Sequence, residues 1–365
     1  INEQTLTFIP KLIVMAVVGL VLPERFLMPF AVTVTFIIFC MSLVVLLGYT
    51  GQLSLAQYVI GGLGALVAAK LMSVDQPMPF LLAALIAIFA AAVSGMLMAI
   101  PALRMRGLTL SIVTLGLSVA VYKLILDNPI FSGGTYGGYT VEPPSIFGWT
   151  FDPQLTPKRY ALVCVTVMFL VAILVANVRR GTAGQRMLAV RSNERAAAAA
   201  GINVYSVKLY AWGLAGAIAG IGGVLLAFMQ PVVQSGRFDQ VSSINLTSVS
   251  VVGGIGYIGG AVIGSTLIPN GVISEIFHGM TEVNVWLPLI GGISVMLVLA
   301  TGADGAYTAN RAMVVSFVAR VRGWSGRGGP RRSGRSDAHR AEAPGDSGQA
   351  HSIEAPTGSS PCPPA

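Results

Sequence analysis

The sequence is poor in charged residues, which make up 10% of its 365 residues, whereas 54% are hydrophobic. Soluble globular domains contain about 25% charged residues. So few charges cannot cover a water-facing surface for a chain of this length, and a soluble globular fold is therefore excluded. The same apolar content excludes intrinsic disorder over most of the chain.

The residues of common catalytic and metal sites are also scarce. There is no G-x-x-x-x-G-K-[ST] motif, so the chain does not bind a nucleotide through a P-loop, and H-E-x-x-H and G-x-S-x-G are absent too. The cysteines lie far apart without a C-x-x-C pair, which favours apolar core residues over a disulfide framework. We therefore predict no metal site, no cofactor and no catalytic residue. The histidines and cysteines are His278, His339, His351, Cys40, Cys164 and Cys362.

Long runs without any charge dominate the sequence. A membrane-spanning helix needs about 20 apolar residues. The run 26–69 can hold two spans with a break near 48–52, and the run 240–274 has room for two short spans or a re-entrant pair. The sequence thus predicts an all-α polytopic membrane protein of about eight to ten transmembrane helices with broken or re-entrant glycine-rich segments. The runs are 12–23, 26–69, 76–103, 107–122, 160–178, 209–236, 240–274 and 283–303.

Basic residues between these runs predict the orientation, because cytoplasmic loops are enriched in Lys and Arg. By this rule the loop 179–206, the turn that contains Arg104 and Arg106, and the arginine-rich start of the tail are cytoplasmic. The acidic segment 127–158 is extracytoplasmic. We predict a membrane domain over 1–310 and a basic, disordered cytoplasmic tail over 311–365.

The net charge of +8 could indicate binding to nucleic acid. The basic residues, however, lie in loops between apolar runs, so we predict contact with membrane lipid and none with nucleic acid. The predicted spans contain no Asp or Glu that could bind a proton inside the membrane, which argues against a carrier driven by protons.

Uncharged polar residues recur inside the apolar runs. One explanation is hydrogen bonding between helices, and the other is a weakly polar path for a small solute. The candidate pathway residues are Gln52, Ser54, Gln57, Thr109 and Thr114.

A short glycine pattern occurs twice, at 60–64 and 252–256, each time after a serine-containing segment. Chance similarity between glycine-rich helix interfaces is one explanation, and a duplicated transporter half is the other. In either case glycines allow helices to pack closely. The predicted packing glycines are Gly61, Gly62, Gly64, Gly253, Gly254, Gly256 and Gly260.

The loop 179–206 contains a stretch with strong helix propensity over 184–200, followed by Gly201 as a C-terminal cap. Such a helix is suited to docking on another protein. A solvated linker helix is the alternative.

Residues 184–202 resemble the cytoplasmic loop of ABC-importer permeases for branched-chain amino acids, although Gln185 stands where that family usually has Arg. Four more stretches resemble the family's motifs, and the resemblance covers about 40–305. Thr109 replaces the family's usual Tyr, and Ser111 replaces Ala. The four stretches are GYTGQLSL at 48–55, RGLTLSIVTL at 106–115, SGGTYGG at 132–138 and GGIGYIGGAVIG at 253–264.

The resemblance implies a multi-pass permease of type II-like architecture in a bacterial plasma (inner) membrane, without enzymatic activity of its own. It implies a second permease subunit, two cytoplasmic ABC ATPases and an extracytoplasmic solute-binding protein. The solute would be a branched-chain or related amino acid, or alternatively urea or a short amide. The residues that couple to the ATPase would be Gly184, Arg186, Arg191, Asn193, Glu194 and Gly201.

Three other functions remain open from the sequence. They are a secondary carrier or channel that acts alone, an intramembrane enzyme, and a structural membrane scaffold. The enzyme would require a convergent acid, base or metal cluster, which the sequence does not indicate.

Overall fold

A computed structural model describes residues 23–73, 78–105, 107–133, 138–146, 149–254 and 258–276, together with positions 289 and 293. The predicted spans 12–23 and 283–303 lie almost entirely outside the described residues. So do the tail 311–365 and Gly256.

The apolar runs form long helices. Five helices of the described part are long and apolar enough to cross a membrane, and a sixth, shorter apolar helix follows the first. The first of them, α1 (Glu24–Leu43), ends in a π-helical turn, Val44–Tyr49, and α4 (Leu108–Val121) ends in another, Tyr122–Leu126. The helices of the membrane region are α1 (Glu24–Leu43), α2 (Gln57–Leu71), α3 (Phe80–Ala102) and α4 (Leu108–Val121). They are followed by α5 (Pro129–Ser132), α6 (Pro157–Arg180), α7 (Thr182–Ser192), α8 (Glu194–Ala199) and α9 (Val204–Ala227). The last are α10 (Gln240–Gly253), α11 (Ile258–Ser265) and α12 (Val272–Ile276).

The break predicted within the run 26–69 is confirmed, since helical structure stops at Tyr49 and resumes at Gln57. We call residues 50–56 the break segment. The helices α1 and α9 are mostly buried, whereas α3 exposes a row of large apolar side chains that includes Leu85 and Phe89. An outward apolar face is expected for a helix that contacts lipid.

The run 240–274 folds as short helices. At 1.5 Å per residue the 14 residues of α10 and the 8 residues of α11 extend about 21 Å and 12 Å, less than the roughly 30 Å of a bilayer core. Gly254 separates α10 from α11 with a φ of 118°. These lengths favour the re-entrant pair over two spans.

Glycines are found where helices approach most closely. A Cβ atom on Gly61 would lie 2.4 Å from Phe39 Cε1, one on Gly62 would lie 2.5 Å from Phe238 Cβ, and one on Gly64 would lie 3.1 Å from Gly220 Cα. In the re-entrant pair, a Cβ on Gly253 would lie 2.1 Å from the carbonyl oxygen of Gly260. Side chains at these positions would push the helices apart. The two glycine patterns nevertheless differ locally, because 60–64 is helix interior and the second pattern includes a helix end.

The segment 127–158 and the loop 179–206 lie at opposite ends of α6. Glu24, at the start of α1, is 3.7 Å from Lys158, at the start of α6. The segment 127–158 therefore lies beside the start of α1. The loop 179–206 follows α6 after 24 helical residues, about 36 Å away along the helix axis.

Small strands occur in the segment 127–158, which the sequence did not predict. β1 (Gly138–Thr140) pairs antiparallel with β4 (Val232–Gln234), with Tyr139 opposite Val233, and β2 (Ser145–Ile146) pairs with β3 (Trp149–Thr150). Strands of two or three residues are too short to show alternation in a sequence. The β1–β4 ribbon joins this segment to the chain that follows α9.

Replacing Gly61 with Ala should destabilise the protein by about 1–3 kcal/mol, because the added methyl group overlaps Phe39 and the Ala219 carbonyl. The matched control is Gly116→Ala on α4, where no atom lies within 4 Å of an added Cβ. Thermal unfolding of the detergent-solubilised protein measures both. Equal melting temperatures for the two variants would contradict the close packing of α2.

Candidate functional site

The loop between α6 and α9 contains two helices, whereas the sequence predicts one helix over 184–200. That prediction is wrong at Asn193, which adopts φ −158° and ψ 107° and separates α7 from α8. The Asn193 side-chain oxygen accepts hydrogen bonds from the N–H groups of Arg195 (3.0 Å) and Ala196 (3.2 Å). Asn is a favoured N-cap because its side chain replaces missing backbone acceptors, and here this preference outweighs the helix propensity of the neighbouring residues.

The predicted end at Gly201 is confirmed. Gly201 has a φ of 79°, and the N–H of Ile202 donates to the carbonyl of Ala197 at 3.0 Å. This is the usual glycine-terminated helix end.

Gly184 lies where the loop folds back on α6. Only Gly181 separates α6 from α7, and a Cβ on Gly184 would lie 2.2 Å from the carbonyl oxygen of Val178. Because a backbone atom cannot yield as a side chain can, only glycine fits at position 184 in this arrangement. The start of α7 is therefore fixed against the end of the membrane-spanning α6.

Arg191 points from the last turn of α7 towards the end of α1. Its Nη1 donates to the carbonyl oxygen of Gly48. The last carbonyls of a helix lack intrahelical partners and carry the negative end of the helix dipole, so a guanidinium is a favourable cap. Gly51, with a φ of 70°, allows the chain to leave the helix, and a Cβ there would lie 3.2 Å from Arg191 Cγ.

Glu194 forms an ion pair inside the protein. Its carboxylate lies 2.5 Å from the Lys208 ammonium, whose side chain is 6% exposed, whereas that of Glu194 is 31% exposed. The pair fastens α8 to the start of α9, because a buried ammonium requires a partner. Arg186, in contrast, is exposed on α7.

The break segment is mostly buried, although Gly51 is exposed, and side chains of neighbouring helices contact the backbone of Ser54 and Leu55. Thr114 Oγ1 on α4 accepts from the N–H of Leu55 at 3.2 Å. Ser243 on α10 donates to the carbonyl of Leu55 at 2.7 Å. The Thr247 hydroxyl lies 3.4 Å from the carbonyl oxygen of Ser54 and 3.0 Å from that of Ser243, and its one proton is shared between these two acceptors. Irregular backbone at membrane depth is tolerated only where the protein supplies such partners.

The structure brings four of the five predicted pathway residues to the break segment. Gln52 Oε1 accepts from Trp212 Nε1 at 2.6 Å, and Gln57 Nε2 is 3.5 Å from Ser54 Oγ. Thr114 contacts the segment from α4, as described above. Thr109 lies elsewhere, exposed in the first turn of α4.

Two residues at this site were missed by the sequence reasoning. The serines of 242–250 gave a signal from which Ser243 could have been found. Trp212 gave none, since a single tryptophan in an apolar helix is ordinary.

Three buried side-chain atoms in the described part of the chain have no hydrogen-bond partner in the protein: Gln57 Oε1, Ser111 Oγ and Gln240 Nε2. Unpaired buried polar atoms are costly and therefore uncommon. Gln57 is fully buried and adjoins the break segment. Its amide oxygen thus retains an unused acceptor beside the unwound backbone.

Five apolar helices long enough to span a membrane, a helix break and the two short glycine-rich helices α10 and α11 define an all-α polytopic membrane protein. This architecture suits a permease, since interrupted helices with polar groups at the break are a feature of many transporters.

The chain belongs to the family of branched-chain amino acid transport system permease components, whose family model matches residues 26–300. It is 27% identical over 313 residues to the high-affinity branched-chain amino acid transport permease LivM of Escherichia coli (strain K12), covering 80% of this chain and 72% of that protein. LivM of Salmonella typhimurium is 26% identical over 73% of this chain and 66% of its own length. The ribose import permease RbsC of Bacillus subtilis is 27% identical over 43% of this chain and 52% of its own length. No solved structure matches.

Replacing Gln52 with Leu should lower stability by about 1–3 kcal/mol, because the Trp212 N–H would remain buried without an acceptor. The double variant Gln52→Leu with Trp212→Phe removes both partners and should recover part of that loss. Thermal unfolding of the single and double variants measures the coupling. Additive effects would show that the hydrogen bond does not hold the break segment to α9.

Proposed function

We propose that this chain is a translocation subunit of an ATP-driven importer for branched-chain or related amino acids. It would act with a second permease subunit, two cytoplasmic ABC ATPases and an extracytoplasmic solute-binding protein. The observation that carries the proposal is the α7–α8 loop, a structured and partly exposed element joined directly to α6 and α9. The chain itself has no P-loop, so ATP hydrolysis in this proposal takes place on another subunit.

Amino acids are favoured as the solute by the extent of the similarities. The LivM proteins, named for branched-chain amino acid transport, match 73–80% of the chain, whereas the ribose permease RbsC matches 43%. Urea or a short amide is the alternative solute within the same mechanism.

The coupling residues divide into two roles in this proposal. Arg186 projects from α7 and would meet the ATPase. The others shape and fasten the loop, with Gly184 against α6, Arg191 on Gly48 and Glu194 on Lys208. Asn193 and Gly201 set the ends of α8. Movement of an ATPase would displace the loop together with α6 and α9.

The solute would pass beside the break segment. Polar groups of α2, α4 and α10 converge there, and Gln57 Oε1 offers an unused acceptor. A pathway requires weak polar contacts, because tight binding would prevent release. In this proposal the segment 127–158 would face the extracytoplasmic binding protein. The loop 179–206 and the tail 311–365 would be cytoplasmic.

Reversal of the exposed charge by Arg186→Glu should reduce co-purification with the ATPase and lower ATP-dependent uptake by about tenfold, since a charge mismatch at an interface is costly. The control is Arg159→Glu, an exposed arginine at the opposite end of α6, which should leave ATPase co-purification unchanged. Uptake by the purified chain in liposomes without ATP or partners would instead establish a stand-alone carrier or channel.

The variant Gln57→Leu should raise the KM for uptake or change the ranking of competing solutes, because it removes the unpaired amide while keeping a similar size. Thr166→Ala on the exposed face of α6 is the control and should match the wild type. Uptake of leucine in reconstituted vesicles, with competing amino acids, urea and acetamide, gives the comparison. Identical solute profiles for Gln57→Leu and wild type would place Gln57 outside the path.

A further inference from the structure

We propose that Arg191 is a positioning residue that transmits movement of the α7–α8 loop to the break segment. Arg191 would thereby set how much solute moves for each ATP hydrolysed. This inference rests on the proposed function, because it requires an ATPase that moves the loop.

A hydrogen bond joins the α7–α8 loop to the end of α1. Arg191 Nη1 reaches the Gly48 carbonyl, 143 residues away in the chain. The bond joins a cation to the negative end of a helix and is therefore stronger than a neutral hydrogen bond. Gly51 leaves space for the Arg191 side chain, since a Cβ there would approach Arg191 Cγ to 3.2 Å.

Both helices that flank the loop hold the same stretch. On α6, Arg179 Cζ lies 5.9 Å from the centroid of the Tyr49 ring, and the Tyr49 hydroxyl donates to the Val175 carbonyl at 3.5 Å. On α9, Trp212 donates to Gln52. Residues 48–52 are thus attached to α6, α7 and α9, the elements that a docked ATPase would displace.

The following residues are attached to a different set of helices. Leu55 and Ser54 are held by Thr114 on α4 and by Ser243 and Thr247 on α10. The break segment therefore lies between the loop elements and two helices that carry polar groups at membrane depth. Unwound backbone can change its φ and ψ angles in a way that a helix cannot. A displacement at Gly48 can therefore change the orientation of the backbone at residues 54–55.

Arg191 and Arg195 lie on the same loop and are both exposed, but they differ in their contacts. Arg191 donates to the Gly48 carbonyl, whereas the Arg195 side chain forms no hydrogen bond or ion pair with the part of the protein that the structure describes. It is a matched control of the same residue type and predicted side of the membrane.

The experiment uses the complete transporter in proteoliposomes, with ATP hydrolysis and leucine uptake measured in the same preparation. Arg191→Ala and Arg191→Gln should lower the solute moved per ATP by about fivefold or more, the lower end of the usual range for coupling between sites. Arg191→Lys keeps a charged donor and should recover part of the ratio. Arg195→Ala should leave the ratio at the wild-type value.

The outcomes separate the inference on Arg191 from the proposed function. An unchanged ratio in assembled Arg191→Ala and Arg191→Gln complexes would overturn the inference and leave the proposed function intact. Loss of assembly in the Ala, Gln and Lys variants alike would also overturn it, since Arg191 would then serve folding. The absence of ATP-dependent uptake by the wild-type complex would overturn the proposed function itself.

Discussion

The structure depends on satisfying backbone hydrogen bonds where a membrane-embedded helix is interrupted. Lipid offers no donors or acceptors, so every N–H and C=O of an unwound segment needs a protein partner. Hydroxyls from α4 and α10 supply partners for the backbone of Ser54 and Leu55 in the break segment, while Arg191 caps the end of α1. This one constraint explains why polar side chains from distant parts of the chain meet at residues 48–55.

Close packing of the helices is the second requirement of this structure. The hydroxyl bonds to the break segment form only if α2, which follows that segment, lies close to the neighbouring helices. Glycines permit this, as at Gly223, where an added Cβ would lie 1.9 Å from the Gly61 carbonyl oxygen. In a membrane the association of helices relies on such contacts, because apolar burial gives little advantage over lipid. Small residues and hydroxyls therefore act together at this site.

Much of the fold was predictable from the sequence, because uncharged runs and glycines report directly on spans and breaks. The interruption after Tyr49 and the cap at Gly201 followed from local composition. The division of the loop at Asn193 did not, because capping competed with strong helix propensity nearby. The pairing of Arg191 with Gly48 and of Gln52 with Trp212 was inaccessible, since contacts 143 and 160 residues apart depend on the packed structure.

The β1–β4 ribbon has a consequence for how the segment 127–158 can vary. It ties the 127–158 segment to the end of α9 through main-chain pairing, with Gly138 opposite Gln234 and Thr140 opposite Val232. Main-chain bonds do not involve the side chains, so substitutions other than proline at exposed positions such as Thr140 and Gln234 leave this pairing in place. Residues at such positions can thus be replaced one by one while the end of α9 stays joined to the segment 127–158, so the two ends of α9 are held differently: by main-chain pairing here, and by the Glu194–Lys208 side-chain pair at its start.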